Sequence, residues 1–155
     1  MTISGQSIIA ISVGNSRTQV GRFETGELKQ SDRFPNANLT PIVQAVAKWW
    51  GEIADSSASI LLASVNDPIA DRLVSAVEDQ LSVDVFRIGS DIPIPIGQQL
   101  DPETITGVDR LLNAAAAYDR LKQACVVVDA GTAITIDFVD GEGTFHGGAI
   151  APGAA

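Results

Sequence analysis

A short pattern that occurs twice constrains this chain more than any other feature. Residues Ile11 to Thr18 read Ile-Ser-Val-Gly-Asn-Ser-Arg-Thr, and residues Val128 to Thr135 read Val-Asp-Ala-Gly-Thr-Ala-Ile-Thr. Each copy follows an apolar run and precedes a second strand-like run, so each predicts a hairpin that turns at a glycine. Self-similarity at this spacing indicates duplicated halves, which we expect to be a first domain at 1–122 and the start of a second, truncated one at 123–155.

The remaining periodicity predicts a mixed α/β layout in which three strands are followed by alternating helices and strands. We expect the first strand to be central in its sheet, and the last three strands to have one bare face because no helix follows them. The predicted strands are Ser7–Val13, Thr18–Phe23, Glu27–Phe34, Ser59–Val65, Val83–Ile88, Ala124–Asp129, Ala133–Val139 and Gly143–Ala151, and the predicted helices are Leu39–Ile53, Ile69–Leu81 and about Val108–Lys122.

Composition argues against several classes of partner. The net charge of -9 over 155 residues disfavours nucleic-acid binding, which needs clustered Lys and Arg. The sequence has no apolar run long enough for a membrane span and no basic-apolar leader, so we expect no membrane partner and a cytoplasmic location. Cys125, the single cysteine, lies in an apolar run and is expected in the core, which fits a reducing compartment.

A glycine-turned hairpin has a chemical use. Glycine lets the backbone approach a phosphate closely, and the polar residues beside it supply further hydrogen-bond donors. A carboxylate just before the glycine, such as Asp129, can hold a cation against the phosphates. One such turn alone is an ordinary hairpin, but two that face each other across a cleft would hold a polyphosphate from both sides. The pair therefore favours a nucleotide-binding function.

The two hairpins together resemble the phosphate motifs of the actin/hexokinase/Hsp70-type ATPase superfamily. Thr106 to Tyr118, which begins Thr-Gly-Val-Asp-Arg, resembles the Gly-x-Asp-Arg helix of type III pantothenate kinases. Val128 to Thr135 and Gly147 to Gly153 are similar to that family's second phosphate motif and its Gly-Gly-x-Ile-x-Pro-Gly tail. The resemblance covers the whole chain. It implies an α/β, actin-like ATPase (ribonuclease H-like) domain with a mixed sheet, followed by the first strands of a second, duplicated domain.

The resemblance also implies an activity: ATP-dependent phosphorylation of pantothenate, the first step of coenzyme A biosynthesis, in a homodimer that uses ATP with Mg2+ and a monovalent cation (K+ or NH4+). Asp109 matches the family's proton acceptor, and Asp129 matches its monovalent-cation position. The matched ATP contacts are Ser12, Val13, Gly14, Asn15, Ser16, Arg17, Thr18, Gln19 and Thr132, and the matched pantothenate contacts are Leu100, Gly107, Val108, Asp109 and Arg110. Arg110 is expected to hold the pantothenate carboxylate in a forked pair, and His146 to be structural or exposed because the sequence supplies no partner for it.

The chain departs from the family at two positions and in length. Ser12 stands where the family carries an aspartate, and Leu100 where it carries a tyrosine. Family members continue past Gly153, so we expect a truncated form. Two alternatives stay open: a non-catalytic relative that acts as a regulatory accessory factor or is an inactive fragment, and a sugar or acetate kinase of the same superfamily.

Overall fold

A computed structural model describes residues 5–55 and 57–153 of the chain. It divides into two compact units, Met1–Ile92 and Pro93–Ala155, which are described separately below. Among the described residues, none of the helices combines the length and the apolar character that crossing a bilayer would require.

The first unit is built on a five-stranded mixed sheet with two helices. Its strands are β1 (Ser7–Val13), β2 (Arg17–Glu24), β3 (Glu27–Pro35), β4 (Ser59–Ser64) and β5 (Val85–Arg87), and its helices are α1 (Thr40–Ile53) and α2 (Asp67–Leu81). The strand order is β3-β2-β1-β4-β5, with β1 antiparallel to β2 and parallel to β4. The first strand is therefore central, as predicted. The carboxyl ends of β1, β3 and β4 meet at one edge of this sheet.

The core of the first unit lies between the sheet and its helices. Alternate side chains of β1, namely Ile9, Ile11 and Val13, are buried because successive residues of a strand point to opposite faces. The apolar stripe of α1 buries Val46 and Trp49 against them. The rest of the core comes mainly from Ile42, Val20, Ile60, Leu62, Ala70, Leu73 and Val77.

The second unit is a smaller sheet with one helix. It contains β6 (Gly97–Gln98), α3 (Val108–Leu121), β7 (Cys125–Ala130), β8 (Ala133–Val139) and β9 (Thr144–Pro152), with strand order β6-β9-β8-β7. The two-residue β6 was not predicted, because its proline-rich surroundings do not read as a strand; it pairs in parallel with the edge of β9.

Helix α3 belongs to this second unit by its packing. Leu111 and Ala114 form a small core with Val139 and Phe145, and the half-buried Cys125 packs against it as expected. The compact units therefore divide before α3, whereas the duplicated pattern places a boundary after it at 122/123. The assignment of 1–122 and 123–155 to duplicated domains stays a prediction.

The face of the second sheet that lies opposite α3 is exposed to solvent, as the sequence predicts. In an antiparallel sheet, directly paired residues share a face, so Val126 lies beside Phe138 and Val128 beside Ile136. All four of these apolar side chains are at least 44% exposed. The helix covers only the face that carries the small core.

Candidate phosphate and substrate sites

The first hairpin turns at the edge of the sheet where β1 ends. Val13 pairs with Thr18 and Ser12 pairs with Gln19, so the turn consists of Gly14, Asn15 and Ser16. The Gly14 N–H donates to the Arg17 carbonyl at 2.9 Å and closes the turn. A Cβ at Gly14 would lie 3.0 Å from that same carbonyl oxygen, which explains why a glycine suits the position.

Asn36, the residue directly after β3, holds this turn through three hydrogen bonds. Its Nδ2 donates to the Gly14 carbonyl at 2.8 Å, its Oδ1 accepts from Thr18 Oγ1 at 2.8 Å, and its backbone N–H donates to the Ser16 carbonyl at 2.9 Å. Thr18 and Asn36 are both buried. The side-chain amide of Asn36 is thus fully engaged in fixing the conformation of the loop.

A second asparagine holds the other side of the turn. Asn66 Nδ2 donates to the Asn15 carbonyl at 3.3 Å, and the Val65 N–H donates to the Val13 carbonyl at 3.0 Å. Asn66 also caps α2, because its Oδ1 accepts from the Ile69 N–H.

All backbone carbonyls from Val13 to Arg17 are therefore occupied by donors from within the first unit. In contrast, the N–H groups of Asn15 and Ser16 donate to no residue in the parts of the chain that the structure describes. Consecutive N–H groups without competing carbonyls form a concave site for an anion. This first phosphate loop, residues 14–17, is thus arranged to accept negatively charged oxygen atoms.

The structure brings the predicted ATP contacts of the first half together on this one hairpin, but their side chains differ in accessibility. Val13 and Thr18 are buried, so a nucleotide would reach only the backbone at those positions. Ser12, Asn15, Ser16, Arg17 and Gln19 are exposed, and Gln19 accepts a hydrogen bond from Arg33.

The second hairpin turns at Gly131 and Thr132. The Gly131 N–H donates to the Ala133 carbonyl at 2.9 Å, and Gly153 donates its N–H to the Thr132 carbonyl at 3.1 Å. A Cβ at Gly153 would lie 2.2 Å from the Gly131 carbonyl oxygen. The glycine of the tail motif is therefore needed because the tail packs directly on the second turn.

Asp129 precedes this turn and lies beside the start of α3. Its Oδ2 accepts from Asn113 Nδ2 at 3.2 Å. Asp109 lies one helical turn before Asn113 and so on the same side of α3. No group of three metal-ligating side chains occurs in residues 5–55 or 57–153, so the role of Asp129 in binding a cation stays a prediction.

Asp109 is in the first turn of α3, which Gly107 caps, so the helix begins at Val108. The side chain is exposed, and its Oδ1 accepts from the Arg110 N–H at 2.9 Å. A carboxylate in this place is favoured by the positive end of the helix dipole. Its Oδ2 accepts no hydrogen bond from residues 5–55 or 57–153.

Arg110 is engaged differently from what the sequence suggests. Its Nε donates to Asp137 Oδ2 at 3.0 Å, and its Nη2 donates to Asp137 Oδ1. The hydrogen bond with Asp137, a residue that is only 2% exposed, raises the pKa of Arg110 above its ordinary value. The Nε–Nη2 side of the guanidinium is thus bound to a buried partner, which leaves the two N–H groups of Nη1 and one of Nη2 for a ligand.

A pocket of about 580 Å³ lies within the second unit. Its volume falls in the range of small-molecule sites, roughly 300–1,000 Å³. The structure brings together here two of the predicted substrate residues and the tail glycines, since the walls include Leu100, Thr106, Arg110, His146, Gly147 and Gly148. Gly107, Val108 and Asp109 do not line it.

The expectation that His146 lacks a partner is wrong. Its Nε2 lies 2.7 Å from Asp140 Oδ2 across the turn between β8 and β9, and its ring packs near Phe138. This hydrogen bond, followed by the one from the Thr144 N–H, lowers the pKa of Asp140. Asp140 and His146 lie six residues apart around a glycine-rich turn, and this spacing is the sequence signal that could have predicted their contact.

Asn36 and Asn66 were not recognised as parts of the phosphate loop. Asn36 directly follows β3 and Asn66 lies two residues after β4, and the carboxyl ends of both strands meet at the edge where β1 ends. Polar residues at the carboxyl ends of neighbouring parallel strands commonly form ligand sites. That rule identifies both residues once the strand order is known.

Comparison with known proteins decides the family. The model of the family described as type III pantothenate kinase matches residues 8–155. The chain belongs to this family. A type III pantothenate kinase of Persephonella marina is 31% identical over 94% of this chain and 60% of its own length, and one of Syntrophotalea carbinolica is 28% identical over 94% and 60%. The chain thus spans about three fifths of the length of these curated relatives.

Solved structures at low identity show the fold. The type II variant of the Aquifex aeolicus Ppx/GppA phosphatase matches with a TM-score of 0.55 at 11% identity, over 95% of this chain and 52% of its own. The ethanolamine utilization protein EutJ from Carboxydothermus hydrogenoformans matches with a TM-score of 0.53 at 10% identity, over 100% and 55%. The α/β, actin-like ATPase fold with mixed sheets is therefore confirmed.

Proposed function

We propose that this chain takes part in ATP-dependent phosphorylation of pantothenate to 4'-phosphopantothenate. The observation that carries the proposal is the first phosphate loop, in which every carbonyl from Val13 to Arg17 is bound by the protein while the N–H groups of Asn15 and Ser16 are open. The family supports the substrate, since its curated members are pantothenate kinases.

In this proposal Asp109 is the catalytic base. Its carboxylate takes the proton from the primary hydroxyl of pantothenate, the oxygen attacks the γ-phosphorus of ATP, and ADP leaves with the electron pair of the broken bond. A positioned base of this kind contributes about 10²–10⁴-fold to the rate. The exposed position of Asp109 in the first turn of α3 supports this role, because a substrate can reach its free oxygen.

The pocket that contains Leu100 and His146 is the proposed place for the pantoyl and carboxylate portions of the substrate. Leu100 offers an apolar contact for the geminal methyl groups, and Arg110 Nη1 offers a charged donor. Because Asp137 already holds Nε and one N–H of Nη2, we propose that the ligand meets Arg110 through the N–H groups that remain on Nη1 and Nη2.

The cations are also part of the proposal. Asp129 supplies one exposed carboxylate, which suits a weakly held monovalent ion, K+ or NH4+, near the second turn. Ser12 supplies only a neutral oxygen, so Mg2+ would be held chiefly by the phosphate oxygens of ATP. When bound, these cations neutralise charge on the phosphates. We also propose that the protein acts as a homodimer in the cytoplasm.

A second candidate is nucleotide binding without phosphoryl transfer. Two observations favour it: Ser12 cannot anchor a divalent cation with a charge, and the fork of Arg110 is occupied by Asp137. The first phosphate loop would still bind ATP in such a relative. Binding and turnover therefore have to be measured separately.

The test is a phosphorylation assay with ATP, Mg2+, K+ and pantothenate. It uses this chain and a chimera in which the chain replaces the matching part of the Persephonella marina relative. We expect turnover, and we expect Asp109→Asn to lower its rate by about 10²–10⁴-fold. The control is Asp119→Asn, which changes an exposed acid near the other end of α3 and should alter the rate by less than about twofold. Absence of 4'-phosphopantothenate from both proteins would overturn the kinase assignment, and ATP binding without turnover would support the second candidate.

A further inference from the structure

We propose that Asn36 is a positioning residue for ATP: it holds the first phosphate loop so that the N–H group of Asn15 faces the phosphates. This inference rests on the proposed ATP-binding function of the loop. Asn36 itself is buried and does not have to touch the nucleotide.

The hydrogen bonds of Asn36 reach three residues of one turn. Its side-chain amide donates to Gly14, and its backbone N–H donates to Ser16, which places the two carbonyls that flank Asn15 toward the protein interior. A peptide unit that turns its carbonyl inward turns the N–H of the next residue outward, because the two groups point in opposite directions across a planar trans peptide. The bond from Asn36 to the Gly14 carbonyl therefore presents the N–H group of Asn15, whereas the Ser16 N–H is presented by the bond from Asn66 to the Asn15 carbonyl.

The orientation of the Asn36 amide is itself fixed. Thr18 Oγ1 donates to Asn36 Oδ1 at 2.8 Å in a buried contact, so the Nδ2 group is directed at Gly14. Thr18 follows the turn on β2 and Asn36 follows β3, which links the loop to two neighbouring strands. A buried donor or acceptor left without a partner is costly, so this chain of bonds strongly favours one loop conformation.

Asparagine is the residue that this position requires. An aspartate would keep the acceptor for Thr18 and the backbone N–H, but it would place a second oxygen against the Gly14 carbonyl where a donor is needed. Asn36→Asp therefore changes the shape of the side chain very little, but it removes the hydrogen bond that holds the Gly14 carbonyl. Asn38, two residues later and exposed, accepts from the Thr40 N–H through its Oδ1, so the same change there keeps its hydrogen bond.

The test compares Asn36→Asp with its matched control Asn38→Asp. Calorimetry measures the affinity for MgATP, and amide hydrogen exchange of the free proteins measures the order of residues 14–17. We expect Asn36→Asp to weaken MgATP binding by about tenfold or more and to speed exchange in the loop, and Asn38→Asp to change affinity by less than about twofold.

A neutral variant separates the hydrogen bonds from the added charge. Thr18→Val removes the bond to Asn36 Oδ1 without a change of charge, and we expect it to weaken MgATP binding by about threefold while Thr18→Ser restores most of the affinity. Thr18→Val also tests the positioning role if the Asn36→Asp protein does not fold.

The outcomes distinguish this inference from the proposed function. If the wild-type chain binds MgATP and both Asn36→Asp and Thr18→Val bind it as tightly, the positioning role of Asn36 is wrong and the kinase proposal stands. If the wild-type chain does not bind MgATP, the nucleotide-binding proposal fails, and the inference about ATP fails with it.

Discussion

The two glycine-turned hairpins are alike in sequence but differ in what supports them. In the first, Gly14 follows the central strand of a five-stranded sheet, and two asparagines hold the turn. In the second, Gly131 follows an edge strand, and the contact to its turn comes from Gly153. The first turn is also one residue longer, since β2 begins three residues after Gly14 and β8 begins two residues after Gly131.

This difference shows that a repeated motif does not repeat its surroundings. The first strand is covered on its core face by two helices, so its apolar residues are buried. The second hairpin has a helix on one face and exposed Val126 and Val128 on the other. We infer that the first hairpin is the rigid one of the pair, because more of its bonds are shielded from water.

The largest expected effect comes from residues that occupy equivalent positions in the two copies, Ile11 and Val128. Ile11 is 2% exposed, so Ile11→Ala should lower the free energy of unfolding by about 3 kcal/mol through lost burial and a cavity. Val128 is 61% exposed, so Val128→Ala should lower it by less than about 0.5 kcal/mol. Urea unfolding followed by circular dichroism measures both. Equal losses at the two positions would show that the second hairpin is as well covered as the first.

The smallest expected effect concerns the turn that follows the second hairpin. His146 and then the Thr144 N–H lower the pKa of Asp140. A carboxyl whose pKa is lower in the folded than in the unfolded chain stabilises the fold above its unfolded value of about 4, and this contribution is lost as the pH falls through the folded value. Asp140→Asn should therefore make the free energy of unfolding depend less steeply on pH below about 4.

The control for this prediction is Glu142→Gln in the same turn. Glu142 contributes its backbone N–H to Asp140, which the substitution leaves in place. Stability measured from pH 2 to 7 should show the smaller slope for Asp140→Asn alone. An unchanged slope in that variant would mean that the contact with His146 does not persist in solution.

Much of this fold could be predicted from the sequence, because strand periodicity and glycine or proline positions are local properties. The bounds of β1 and of β8, for instance, coincide with the prediction, and the central place of β1 fits its mainly apolar sequence. The exception is β6, which is too short and too close to prolines to show a period.

The support of the candidate sites could not be predicted, because it depends on residues that are distant in the sequence. Asn36 reaches Gly14 only because β3 lies two strands from β1, and Arg110 meets Asp137 only because α3 packs on β8. The motif identified the residues of the loop, and the sheet order identified those that hold it. Thus the positions of the two glycine turns could be predicted from local sequence, whereas the engagement of Arg110 could not.

The central claim is that the first phosphate loop receives the phosphates of ATP through its open N–H groups. Its most direct test is a titration of the 15N-labelled chain with MgATP, followed by backbone amide spectra. We predict that the amide signals of Asn15 and Ser16 shift strongly and saturate, while that of Leu28, at the end of β3 far from the first turn, does not move. Saturable ATP binding that leaves both of those loop amides unchanged would contradict it.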